Sequence, residues 1–475
     1  MRVFDSHAAL FTDYYQLTMA QGYLLTGKAE KKTVFDFFFR ENPYGNGYVV
    51  FAGLSDLLEV LEKLRFEDNE IEYLGSLGFG TEFLRYLYNF RFSGTIHAMK
   101  EGEVVFPYEP IVRIEGTLFE TQLIETILLN LLNFQSLIAT KASRIRFAAG
   151  NRRIMDVGLR RAQGLGGIQA SKAAIIGGLD STSNLYAAFR YSLNIAGTQS
   201  HSWVQSFTDE LSAFRAYADI YPENCVLLVD TYNVVMSGIP NAITVAKEME
   251  GKGQKLKAIR LDTGDLGYLS KKARAMLNAE RLEYVQIYVS NQLDEHLINK
   301  LIQQGAPIDA FGIGTRLLTA YDCPVFQGVY KQSVAGDKPT LKYAESFAKT
   351  TLPGLKKVVR FFDSMGLFDS DGIMMDTEED IEVFYDPIKT DQQFRVGGMT
   401  GRPLLQKVME HGHIIGTLPT PTESAKYLSQ RFSCLPPVCK RFDKPEQFKV
   451  GISPSLMRLR SFLFEQVQKE TITKK

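Results

Sequence analysis

VLLVDTYN (226–233), AIRLDTGD (258–265), IYVSNQLD (287–294) and IDAFGIGT (308–315) are four short apolar runs, each ending in small or polar residues. The segments between them read as helices. In the third unit Leu293, Leu297 and Leu301 recur four apart, which marks one helical face after a strand ending at Ser290. Asp230 and Asp262 stand at equivalent strand ends, 32 residues apart, a spacing that suits one strand-helix unit. RRIMDVGLRR (152–161) and AAIIGGLDSTSN (173–184) read as earlier strands of the same series. Continuous apolar strands alternating with helices imply an α/β fold with a parallel sheet covered by helices. Right-handed crossovers put all the polar strand ends on one side. A parallel barrel with its site at the C-terminal strand ends satisfies the pattern, and so does an open doubly wound sheet.

The flanks differ from this middle. Residues 1–130 mix helix with the aromatic strand VFDFFF (34–39), and residues 381–475 carry shorter, irregular elements. The expected division is an N-terminal mixed α/β domain over 1–130, a barrel with the active site over 131–380, and a C-terminal segment over 381–475 that packs with the N-terminal domain.

The chain has 475 residues, 45% hydrophobic and 23% charged, with 54 basic and 54 acidic side chains. A chain of this length buries a large core without disulfides or metals. With charges balanced, no global field favours nucleic acid or a membrane surface, so an anionic ligand needs a local basic cluster. The four cysteines (225, 323, 434 and 439) form no CxxC pair. Cys434 and Cys439 are close, but nothing follows them to complete a zinc site, so all four are expected to be thiols. Asp5, His7 and Asp13 interrupt the N-terminal apolar residues, and no signal-peptide core is expected. The apolar stretch 123–137 contains Glu125, Asn130 and Asn133, which suits a buried helix rather than a membrane span. The expected location is cytoplasmic, with neither membrane nor nucleic acid as partner.

Two glycine motifs mislead. GYLLTGKA (22–29) has the spacing of a phosphate-binding loop, but Ala29 replaces the hydroxyl and the preceding residues read as helix. GLGG (164–167) lacks the third glycine of a dinucleotide fingerprint.

The informative residues lie at the inferred strand ends. Arg160 and Arg161 are adjacent guanidiniums, suited to bidentate phosphate or carboxylate binding or to a solvated surface. GTQSHS (197–202) places a glycine, hydroxyls and the His201 imidazole in one turn. Histidine acts as a base or a nucleophile, although a lone histidine is more often structural. Arg260 sits inside an apolar strand and needs a protein carboxylate or a ligand anion as partner. GIGT (312–315) leaves backbone N–H groups and a hydroxyl to cradle a phosphate, or it is simply a tight turn. Together these residues suggest a polyanionic ligand at the open end of a parallel sheet.

Beyond that chemistry, FTDYYQLTMAQGY (11–23), DVGLRRAQG (156–164), GTQSHSW (197–203), LLVDTYN (227–233), IRLDTGDL (259–266), FGIGT (311–315) and LLQKVMEHG (404–412) occur in this order. In order and spacing they resemble nicotinate phosphoribosyltransferases over nearly the whole chain. The resemblance implies an irregular parallel (β/α) barrel beside an N-terminal open-faced α/β sandwich completed by C-terminal residues. It also implies a homodimer with sites near the subunit interface. Carried over by motif, Tyr15 stacks on the pyridine ring, while Thr198 and Arg260 line the nicotinate site. Thr315 with Gly314 binds the phosphoribosyl phosphate, and Arg160 and Asp262 contact the phosphoribosyl or pyrophosphate groups. His201 matches the histidine phosphorylated by ATP. The implied substrates are nicotinate, phosphoribosyl pyrophosphate and ATP, with Mg²⁺ as cofactor; the metal ligands are left open. Three departures occur: Asn233 where the family often has a carboxylate, LDTGD for LDSGD, and DVG for DFG. Competing readings are a nicotinamide phosphoribosyltransferase, whose histidine loop lacks the GTxxHS pattern, and a non-catalytic nucleotide-binding barrel.

Overall fold

The computed structural model describes residues 8–344 and 349–473. Asp5 and His7 therefore lie outside the described residues. Two compact units divide the chain, one formed by Ile138–Pro324 and the other by Met1–Leu137 with Val325–Lys475.

The apolar runs of the central unit form a six-stranded sheet. Its strands are β1 (Arg153–Asp156), β2 (Ser181–Thr182), β3 (Val226–Leu228), β4 (Ala258–Leu261), β5 (Gln286–Ser290) and β6 (Ala310–Ile313). The order across the sheet is β2-β1-β6-β5-β4-β3, and every pairing is parallel. Val226, Leu227 and Leu228 are all buried, as strands covered on both faces require. Ile195 extends the sheet by a parallel bridge to Thr182. The sheet curls, because Ser181 and Ile195 at one edge and Val226 at the other line one cavity of about 640 Å³. Val226, Ala258, Tyr288 and Ala310 form a buried cluster on this inner face, with Met155 packed against it. The α/β expectation with a parallel sheet is met.

Helices return the chain between strands, and their caps explain the polar strand-end residues. Asp265 accepts from the backbone N–H of Tyr268 to start Leu266–Ala279, and Asp294 accepts from Leu297 to start Glu295–Gln303. One expected strand needs correction. Ala173–Ile176 closes the helix Gly166–Ile176, and only Ser181–Thr182 of the 173–184 stretch is strand. A short apolar run bounded by glycines is ambiguous between a buried helix and a buried strand. Here the helix is buried from Gly167 to Ile176.

The other unit holds a seven-stranded antiparallel sheet. The VFDFFF segment lies in its strand Lys32–Phe39, between Gly328–Ala335 and Val112–Thr117. A second sheet of six strands contains Lys356–Phe362, Phe368–Met375 and Lys449–Ile452. Residues from the early and late chain are locked together there by buried charge. Arg360 is fully buried and donates to Asp371 at 2.6 Å and to Glu103 at 2.8 Å, while Arg431 also donates to Glu103 at 2.8 Å. Removing one partner of such a network strands a buried charge, so the network fixes which chain segments meet. The rejected GxxxxGK segment begins inside the helix Tyr14–Leu25, and among the described residues no strand precedes it. The 123–137 stretch falls largely in the helix Glu125–Ala149, which buries Leu128, Leu131 and Leu132.

Candidate active site

The C-terminal ends of β3, β4 and β5 are neighbours, and the 197–202 segment is tied to them by side chains. Arg260 pairs in register with Tyr288 and Leu228. Its guanidinium leaves the inner face with about a fifth of the side chain accessible (18%). Nε donates to Ser290 Oγ at 3.0 Å, Nη1 donates to Thr198 Oγ1 at 3.0 Å, and Nη2 lies 3.3 Å from Asp262 Oδ1. Asp262 is thus the carboxylate partner that a strand-interior arginine requires. These contacts aim the guanidinium fork and leave donors over for a ligand carboxylate or phosphate.

Asp262 is itself fixed. Ser290 Oγ donates to its Oδ1 at 2.5 Å, and its backbone N–H donates to Asp230 Oδ2 at 2.7 Å. Thr263 Oγ1 donates to the same Asp230 oxygen at 3.0 Å. Asp230 is buried, and its Oδ1 has no hydrogen-bond partner among the described residues. A buried acceptor without a donor is costly, so this oxygen is suited to meet a cation or a donor from a ligand.

His201 begins the short helix His201–Gln205. Its Nδ1 lies 3.1 Å from Thr231 Oγ1, the residue after Asp230. On either side Ser200 and Ser202 share a hydrogen bond of 2.6 Å between their hydroxyls. Thr198 donates to the Gln199 carbonyl at 3.2 Å while accepting from Arg260. Gln199 is buried with neither amide atom hydrogen-bonded among the described residues.

The ends of β1 and β6 approach each other next to this cluster. A Cβ on Gly158 would stand 3.0 Å from the Gly314 carbonyl oxygen, so the β1 loop depends on glycine at that contact. Asp156, fully buried, organises the turn. It accepts from Gly158 N–H at 2.8 Å, Ser171 Oγ at 2.7 Å and Thr182 Oγ1 at 2.6 Å. Burial pushes its carboxyl above the ordinary range, and the three donors pull part of the way back. Gly314 and Thr315 follow β6. Arg160 and Arg161 sit exposed on the turn Leu159–Arg161.

Thr198, His201, Arg260 and Asp262 thus meet at one sheet end, with Gly314 and Thr315 just after β6, the strand beside β5. Tyr15 belongs to the other unit. Its ring is about half exposed (48%), and its hydroxyl accepts from Gln16 Nε2 at 2.7 Å. Gln16 also donates to Glu125, and Gln122 donates to both Gln16 and Glu125, so the phenol is held from beneath. Burial and then the Glu125 and Asp13 carboxylates raise the Tyr15 phenol, keeping it neutral.

Sequence reasoning missed Thr231, Ser290 and Gln199 as site residues and used Asp230 only as a strand marker. One signal was present. Asp-Thr occurs at both strand ends, 230–231 and 262–263, which puts a hydroxyl beside each carboxylate. The departure at Asn233 also has a local explanation. Its Oδ1 accepts from the backbone N–H groups of Val235 and Met236, so it caps the following helical turn.

Among the described residues no cluster of three or more His, Cys, Asp or Glu side chains is arranged to hold a metal ion. The Asp230–Asp262 pair suits Mg²⁺, which binds through one or two carboxylates and takes its remaining ligands from water and substrate phosphates.

Residues 10–133 match the model of the nicotinate phosphoribosyltransferase N-terminal domain, and residues 355–460 match that of the C-terminal domain. Nicotinate phosphoribosyltransferase from Bacillus subtilis is 40% identical over 464 residues, covering 94% of each chain. The enzyme from Bos taurus is 33% identical over 520 residues, covering 95% of each chain. The crystal structure of human nicotinic acid phosphoribosyltransferase superposes with a TM-score of 0.83 at 31% identity, covering 95% of this chain and 99% of that one. A nicotinate-nucleotide pyrophosphorylase from Pyrococcus furiosus, at 24% identity and a TM-score of 0.71, shares the fold. By its two terminal domains and by the identity along its length, the chain belongs to the nicotinate phosphoribosyltransferase family.

Proposed function

We propose that this enzyme joins nicotinate to phosphoribosyl pyrophosphate, forming nicotinate mononucleotide and pyrophosphate, with ATP hydrolysis coupled through phosphorylated His201. The observation that carries the reading is Arg260, aimed by Thr198, Ser290 and Asp262 at the open end of the sheet. A fixed guanidinium beside a hydroxyl recognises a carboxylate on a flat ring, which favours nicotinate over its amide. Tyr15 supplies an aromatic face for the ring, and its half-exposed position fits a role at the edge of a homodimer site. Thr315 and Gly314 take the ribose phosphate, with Arg160 free to reach the pyrophosphate side.

The ring nitrogen of nicotinate carries the attacking lone pair, and the C1–oxygen bond of the ribose breaks as pyrophosphate departs. No proton is removed in that step, so the protein's task is to hold anionic groups in line and stabilise the leaving charge. Mg²⁺ held by Asp230 and Asp262 would neutralise pyrophosphate oxygens. Among the described residues no helix is long and apolar enough to cross a membrane. We place the enzyme in the cytoplasm on the chemistry of its substrates.

The test is pyrophosphate release by the purified full chain with nicotinate or nicotinamide as acceptor, with and without ATP. Release with nicotinate, stimulated by ATP, is expected. Preference for nicotinamide would overturn the role of Arg260.

A further inference from the structure

We propose that Thr231 is a positioning residue that blocks Nδ1 of His201 and directs phosphoryl transfer to Nε2, so that the phosphoenzyme is Nε2-linked. The inference rests on the reading of His201 as the phosphoryl acceptor.

Thr231 Oγ1 lies 3.1 Å from His201 Nδ1, and among the described residues Nε2 has no hydrogen-bond partner. A hydroxyl hydrogen-bonded to a ring nitrogen occupies the direction along which that nitrogen would attack phosphorus. Neutral imidazole has one N–H and one lone pair. With Nδ1–H donating to Thr231 Oγ1, the lone pair belongs to Nε2.

The hydroxyl stands on a fixed support. On its N-terminal side Asp230 is buried and clamped by the Asp262 N–H and the Thr263 hydroxyl. On its C-terminal side Asn233 caps Val235 and Met236. His201 is tied to this turn from 30 residues away in sequence.

The step balances. Nε2 gives its lone pair to the γ-phosphorus of ATP, the bond from that phosphorus to the bridging oxygen breaks, and ADP leaves with the electron pair. The ring keeps its Nδ1–H and becomes cationic. Thr231 Oγ1 then accepts from a charged donor, and this hydrogen bond is stronger than before transfer. No proton acceptor is needed.

The linkage is read by NMR of the full-length enzyme, labelled with ¹⁵N-histidine and phosphorylated with ATP. Wild type should carry phosphate on Nε2. Thr231→Val should slow phosphoenzyme formation about tenfold, as loss of one hydrogen bond from the transition state gives, and an Nδ1-linked fraction should appear. Thr231→Ser should restore both the rate and the single linkage. Nδ1 linkage in wild type, or a Thr231→Val enzyme unchanged in rate and linkage, overturns this inference alone. Absence of any phosphoenzyme in wild type overturns the reading of His201 as well. Nδ1 linkage in wild type overturns the inference even where Thr231→Val does not fold, and Thr231→Ser then supplies the variant.

Discussion

Arg260 and Thr198 are 62 residues apart in sequence, yet Nη1 of the arginine donates to Oγ1 of the threonine at 3.0 Å. This bond joins the histidine-bearing segment to the sheet, so the two halves of the candidate site are held as one object.

Arg260→Ala should therefore weaken nicotinate binding by about 1.5–3 kcal/mol, the worth of a charge-assisted contact. Arg260→Lys should restore little, because an ammonium cannot hold Thr198, Ser290 and a carboxylate in one fork. Michaelis constants for nicotinate in the two variants check this. Unchanged constants would remove the residue from the pocket.

Tyr15→Phe should be mild and Tyr15→Ala severe. The phenol only accepts from Gln16, which keeps Glu125 as a second acceptor, so losing the hydroxyl costs about 1 kcal/mol or less. Losing the ring removes the stacking face. Steady-state kinetics with nicotinate separates the two, and equal losses would assign the role to the hydroxyl.

His201→Ala should abolish ATPase activity and phosphoenzyme while leaving slow, ATP-independent ribosyl transfer at high substrate concentration. Nicotinate needs no general base for its attack, so the imidazole is dispensable for that step. Labelled ATP followed by gel detection tests it, and persistent labelling would exclude His201 as the acceptor.

Glu295 anchors the central unit through Lys141 at 2.7 Å and Arg144 at 2.7 Å, with all three side chains almost fully buried. Burial works to raise its carboxyl, but the Lys141 ammonium and Arg144 guanidinium overcome this and hold it below the usual carboxylate range. A depressed folded-state value gives stability that is present above the unfolded value and lost as pH falls through the folded one. Denaturant unfolding should show this acid loss in wild type. Glu295→Gln should be destabilised by about 3–5 kcal/mol near neutral pH, with a flatter acid limb. An unchanged limb would show that the ion pairs do not persist in solution.

The order of elements was legible in the central stretch. Runs such as VLLVD and, apart from its arginine, AIRLD are apolar on successive residues and end in carboxylates, and a parallel sheet buried on both faces demands that composition. Arg260 stood out for the same reason, as a charge where the strand pattern calls for an apolar side chain. AAII (173–176) misled because a fully buried helix and a buried strand share one composition over four residues.

Which strand ends meet was decided by tertiary structure alone. The order β2-β1-β6-β5-β4-β3 puts residue 156 beside residue 313, and only that neighbourhood presses Gly158 against Gly314. Thr231 looked like any strand-end hydroxyl until His201 reached it, and Ser290 until Arg260 and Asp262 closed on it. Periodicity reports the environment of a residue along its own element, whereas these bonds depend on how distant elements are ordered in space. The sequence by itself determined that the central strands are parallel and buried, and the kinds of side chain at their open end; folding decided which of them touch.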